Sequence, residues 1–107
     1  MIIWMYRYVN TKLSTTDMKQ NYQNLYQLFA AVKSPKEAQI LLADLLTPQE
    51  LDSIAERWAL VQLLALGLPQ RAIQKKLKVS ISKITRGSKE LQYGHGGFKL
   101  MLQRLKK

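Results

Sequence analysis

The sequence predicts an all-α fold of six helices, and three observations carry that prediction. Apolar residues recur at intervals of three and four along long stretches of the chain. Two strong helix-start signals, Ser34-Pro35-Lys36-Glu37 and Thr47-Pro48-Gln49-Glu50, each combine a hydroxyl cap, a proline at the first helical position and a glutamate three residues after the cap. The stretch from Gly67 to Ser88, GLPQRAIQKKLKVSISKITRGS, reads as two short helices joined by a tight turn.

The chain opens on MIIWMYRYVNTKL, residues 1–13, read as an N-terminal arm. This run is too short to span a bilayer, lacks a basic segment ahead of its apolar residues and is broken by Arg7. The helical domain is expected over residues 14–107. Its first helix is placed from about Thr15 to Val32, with Ser14 or Thr15 as N-cap and Asp17 in the first turn, where a carboxylate suits the helix dipole. Met18, Tyr22, Leu25, Phe29 and Val32 form one stripe, expected to be buried, with Tyr26 facing solvent.

The second helix, from Pro35 to about Leu46, carries Ile40, Leu41, Leu42, Leu45 and Leu46 around most of its circumference, which calls for burial on more than one side. Thr47 restarts a helix at once, leaving almost no loop. The third helix runs to Leu66 with Gly67 as its stop. Leu51, Ile54, Ala55 and Trp58 share a stripe, and the LVQLLAL beyond it is apolar nearly all round. One small all-α chain has too little material to cover both helices, so a subunit interface is inferred.

In the next pair of helices, at about residues 69–91, Ile73 and Leu77 lie four apart, Val79 closes the turn, Ser80 caps the second helix of the pair, and Ile81 and Ile84 begin a second stripe. This is helix-turn-helix spacing. It leaves Gln70, Arg71, Gln74, Lys75, Ser82, Lys83, Arg86 and Lys89 outward, able to meet phosphates and base edges in a major groove, and Thr85 joins that set. Two positions depart from common DNA-binding versions: Gln74 stands where a small residue is usual, and Lys78 where a glycine often allows positive φ. Tyr93-Gly94-His95-Gly96-Gly97 is read as a flexible linker, and a last helix carries Phe98, Met101, Leu102 and Leu105 at i, i+3, i+4 and i+7. Such a short helix needs a surface to dock on, and a partner subunit is a candidate.

Composition bounds the function. A chain of 107 residues, 47% apolar and 22% charged, is of ordinary single-domain make-up. With no cysteine and only His95, neither a disulfide scaffold nor a thiolate metal site can be built, no cofactor is expected, and His95 is read as a loop residue. The net charge of +10 is unevenly placed. Residues 1–67 hold six Lys or Arg against six acids, whereas residues 68–107 hold eleven against Glu90 alone. A basic field confined to one region predicts a polyanion-binding face, with nucleic acid ahead of an anionic membrane. No nucleophile–base pair, paired carboxylates or phosphate-binding glycine loop is present in a suitable context, so an enzyme is not expected. Nothing indicates secretion, and a cytoplasmic location is expected.

From about Leu45 to Leu91 the chain resembles the tryptophan repressor family. The resemblance rests on LLTPQE, Arg57 ten residues after Thr47, a long apolar helix, Gln70-Arg71 and the string Ile84-Thr85-Arg86-Gly87-Ser88. It implies an intertwined all-helical homodimer whose paired helix-turn-helix units read a palindromic double-stranded DNA operator. It further implies L-tryptophan as corepressor: Arg86 and Thr47 would hold its carboxylate, Arg57 would stack over the indole, and Gly87 would give the ring room. The chemistry suits arginine, whose planar guanidinium forks onto a carboxylate and stacks on an aromatic face. Without a ligand, the same arginines would serve as ion-pair partners for residues such as Glu56 or Glu90.

The chain also departs from the family. It is one residue shorter at Leu68-Pro69, where a hydroxyl N-cap is usual. Glu90 replaces a serine near the ligand's amino group and would either pair with that ammonium or neutralise Arg86, and Lys83 replaces a smaller base-reading residue. The reading is therefore a tryptophan-gated repressor. The alternatives are a regulator of the same fold without tryptophan response and a basic RNA- or membrane-associated accessory protein.

Overall fold

A computed structural model of the chain describes residues 17–106, so the expected N-terminal arm lies outside the described residues. Six α-helices make up the described secondary structure: α1 Met18–Ala30, α2 Pro35–Leu45, α3 Pro48–Ala65, α4 Gln70–Leu77, α5 Ile81–Tyr93 and α6 Gly97–Leu105. The all-α expectation holds. The chain divides into two compact units, Met1–Leu42 and Ala43–Lys107, with the boundary inside α2.

In the first unit, α1 begins later than expected. Asp17 is itself the N-cap, its carboxylate accepting a bond from the Gln20 amide at 3.2 Å. Ser14 and Thr15 lie outside the described residues. The stripe expected to be buried is open in the single chain: Met18 is 54% exposed and Phe29 49%. Its periodicity is real, but among the described residues no residue of α1 is buried. In α2, too, Ile40 is 54% exposed and no residue is buried within the single chain, where the sequence called for cover from a subunit interface. Ser34 caps α2 as expected, its hydroxyl accepting from the Glu37 amide at 3.1 Å. The Glu37 carboxylate reaches one residue further back than a capping box requires, to the Lys33 amide at 2.9 Å.

The second unit is built on α3. Its start is a complete capping box: the Thr47 hydroxyl accepts from the Glu50 amide at 3.1 Å, and the Glu50 carboxylate accepts from the Thr47 amide at 2.8 Å. These bonds stabilise the ionised carboxylate and hold its pKa below the ordinary 4.5, the backbone bond contributing most. At its other end α3 closes on Gly67 with φ +84°, the Leu68 amide bonding the Leu63 carbonyl at 3.3 Å and the Gly67 amide the Leu64 carbonyl at 3.0 Å. That paired pattern needs a left-handed residue just past the helix, which glycine adopts without strain.

Helices α4 and α5 fold back onto α3 around a small core of Leu60, Ile73, Val79 and Ile84, flanked by Leu63, Leu64, Leu68 and Leu77. The turn between them runs Lys78-Val79-Ser80. Lys78 takes the left-handed conformation, φ 56° and ψ 42°, at the position where the sequence pattern asks for glycine. Ser80 then caps α5 by accepting from the Lys83 amide at 3.2 Å. Pro69 gives α4 no side-chain cap.

The segment read as a flexible linker is a defined turn instead. A Cβ at Gly94 would overlap the Glu90 carbonyl oxygen, and Gly96 has φ +88°. This turn sends α6 back so that Phe98 stacks on Trp58 of α3, ring centroids 6.1 Å apart. The last helix thus finds a docking ring within its own chain, while Leu100, Met101 and Leu105 stay exposed.

Candidate functional site

The residues expected to face DNA occupy the solvent side of α4 and α5. Gln70 and Arg71 lie in the first turn of α4 with Gln74 and Lys75 one turn on; Ser82 and Lys83 lie in the first turn of α5, followed by Thr85 and Lys89. All of these side chains are exposed, whereas Ile73 and Ile84, on the opposite sides of the same helices, are completely buried. The division follows from the 3.6-residue period: burying one stripe of each short helix against Leu60 leaves the amide-rich, basic stripe outward.

Behind this face lies a cavity of about 360 Å³ between α3, α5 and the start of α6. It is lined by Ser53, Glu56, Arg57 and Leu60 from α3, Lys83, Arg86, Gly87 and Glu90 from α5, and Phe98 from α6. Four of the five residues expected to hold a ligand therefore come together: Arg57, Arg86, Gly87 and Glu90. Thr47 is not among the residues lining this cavity: it is the N-cap of α3, its hydroxyl accepting from the Glu50 amide and its own amide donating to the Glu50 carboxylate.

The cavity carries charge of both signs. Among the described residues Arg57 and Arg86 form no hydrogen bond or ion pair, so the pairs with Glu56 or Glu90 considered as an alternative are not made. Glu90 is likewise uncommitted through its side chain, and Glu56 pairs with Lys83 at 3.0 Å. An unpaired guanidinium on each of two helices, with a free carboxylate beside them and an aromatic ring at one wall, matches a ligand with an anionic group, a cationic group and an apolar body. Gly87 is buried, and a Cβ there would lie 3.0 Å from Leu60 Cδ2, so its first role is to let α5 approach α3.

Sequence reasoning missed Ser53, Glu56, Leu60 and Phe98 as cavity residues. Glu56 and Leu60 had a signal, since they lie three residues on from Ser53 and from Arg57 and so share its side of α3. Phe98 had none, because its position depends on the path of the turn at Gly94 and Gly96. A second, more open hollow of about 370 Å³ borders Leu46, Gln49, Glu50, Ser53, Ile54 and Arg57. Among the described residues no group of His, Asp or Glu is placed to hold a metal, and no helix is long and apolar enough to cross a membrane.

Comparison with known proteins gives the family and the fold. Residues 20–106 match the family model described as Trp repressor protein. A Trp operon repressor homolog from Chlamydia caviae is 38% identical over 88 residues, covering 81% of this chain and 87% of that protein. A homolog from Pasteurella multocida is 42% identical over 73 residues, covering 67% of this chain and 71% of that protein. Among solved structures, a TrpR-like protein from Eubacterium eligens superposes with a TM-score of 0.75 at 28% identity, over 90% of this chain and 95% of that one. A putative Trp repressor from Staphylococcus aureus has the same fold, with a TM-score of 0.75 at 21% identity over 86% of this chain and 95% of that one.

Proposed function

The chain belongs to the Trp repressor family of DNA-binding transcriptional regulators, and we propose from that premise that it is a repressor whose hold on a palindromic DNA operator is gated by L-tryptophan. The observation that carries the ligand reading is the pair of uncommitted guanidinium groups, Arg57 and Arg86, lining one cavity with Gly87 and Glu90. Arg86 takes the ligand carboxylate, Arg57 stacks on the indole and Glu90 receives the ammonium. These contacts favour the conformation in which α4 and α5 stand ready for DNA, and differential affinity for that conformation is the whole gating mechanism.

On the DNA side, Ser82 and Lys83 lie nearest the bases, the long Lys83 side chain also reaching the flanking phosphates, with Gln70, Arg71, Gln74, Lys75, Thr85 and Lys89 toward phosphates. The exposed apolar stripes of α1 and α2 are covered by a second copy of the chain, giving the two-fold symmetry that a palindromic operator requires. The deciding experiment is a calorimetric titration of the dialysed protein with L-tryptophan, repeated on Arg86→Ala. Saturable heat that is lost in the variant is expected. Full ligand affinity in Arg86→Ala would overturn the site, and a silent wild type that still binds DNA would leave a regulator without tryptophan response. Sedimentation showing only a folded monomer would contradict the dimer.

A further inference from the structure

The one ion pair among the described residues joins the reading helix to the helix behind it. Lys83 Nζ, from the first turn of α5, lies 3.0 Å from Glu56 Oε1 in the middle of α3, a partner 27 positions away. The placement is unusual for this chain. After residue 67 the only acid is Glu90, so the basic face is almost free of carboxylates of its own, and the one that engages it is reached from α3. The pair is also open to water, with side chains 63% and 39% exposed.

We propose that Glu56 is an intrachain stand-in for a DNA phosphate: it holds the Lys83 ammonium in the free protein and gives it up when the face of α5 meets DNA. The proposal rests on the DNA-binding reading above and adds to it a residue that restrains binding. Exposure is what makes the exchange possible. A water-screened pair holds weakly, whereas a phosphate that takes the same ammonium also releases condensed counterions, so the nucleic acid wins the competition. Once Lys83 has left, Glu56 remains an anion facing a polyanion. Both effects act in the same direction and lower affinity.

The test is fluorescence anisotropy of a labelled mixed-sequence DNA duplex, with and without saturating L-tryptophan and from low to moderate salt, with wild type, Glu56→Gln, Lys83→Met and the double variant. Circular dichroism melts confirm that each stays folded, as expected for changes at exposed side chains. Glu56→Gln should bind on the order of two- to five-fold more tightly at low salt, and this advantage should shrink as salt screens the ion pair that the wild type must break. In the Lys83→Met background the same substitution should give a clearly smaller gain, that of the relieved repulsion alone. An equal gain with and without Lys83 would show that Glu56 acts only by general repulsion, and an unchanged affinity would show no restraint; either overturns this proposal alone. Failure of all four proteins to bind would overturn the DNA-binding reading and the proposal with it.

Discussion

Replacing Lys78 with glycine should stabilise the chain. Lys78 is the one non-glycine residue with positive φ among the described residues, at φ 56° and ψ 42°. In that conformation the Cβ crowds the following carbonyl, at roughly 1–2 kcal/mol. Glycine removes the crowding but enlarges the unfolded ensemble, which takes back roughly 0.4–1 kcal/mol. The net gain is at most about 1.6 kcal/mol and centred near 1 kcal/mol. Lys78 also belongs to the basic surplus, so removing its charge alters self-repulsion as well. Lys78→Ala is the proper reference, since it loses the charge and keeps the Cβ. Urea denaturation of Lys78→Gly and Lys78→Ala at one protein concentration should place the glycine variant about 1 kcal/mol higher, equivalent to roughly 4–8 °C in Tm for a domain of this size. A glycine variant no more stable than the alanine variant would show that the left-handed turn does not exist in solution, and the packing of α5 on α3 would need another account.

Three further outcomes are expected. Ile84 is completely buried between α5 and α3, so Ile84→Ala should cost about 2–5 kcal/mol in denaturant titration; a loss under about 1 kcal/mol would mean that this small core is not the anchor of the reading helices. Gly87→Val places a branched side chain against Leu60 and should destabilise by about 1–3 kcal/mol while abolishing L-tryptophan heat, and undiminished binding would show that the cavity does not need that close approach. The Glu50 pKa is lowered in the folded chain, so its contribution is present above the ordinary 4.5 and is lost as pH falls through the lowered value. The Tm difference between wild type and Glu50→Gln should therefore shrink on acidification across that window, and a constant difference would refute the capping role.

Much of this architecture was legible because it is local. Ser34, Thr47 and Ser80 each accept the amide bond that their spacing predicts, Gly67 stops α3, and Lys78 has the positive φ that the turn demands. The start of α1 differs from the expected one because Ser, Thr and Asp all cap well, and four such residues, Ser14, Thr15, Thr16 and Asp17, follow one another. The stripe on α1 was legible as a stripe, but periodicity says which face is apolar and not which molecule covers it. Of the residues proposed for the ligand, Arg57, Arg86, Gly87 and Glu90 line one cavity, and Thr47 caps α3 outside its lining. The Glu56–Lys83 pair and the Trp58–Phe98 stack were out of reach, since each depends on how distant helices come together.

The exposed apolar faces of α1 and α2 have a consequence for abundance. If a second copy covers them, as proposed above, the stability of the N-terminal helices becomes a function of how much protein is present, through mass action. Dilution then does what a destabilising mutation would do, uncovering Tyr22, Leu25, Phe29 and Ile40 to proteases and chaperones, and the midpoint of thermal unfolding rises with protein concentration. A cell making few copies would keep fewer still, so the threshold for a working pool of this chain is set by self-association before any ligand or DNA is met.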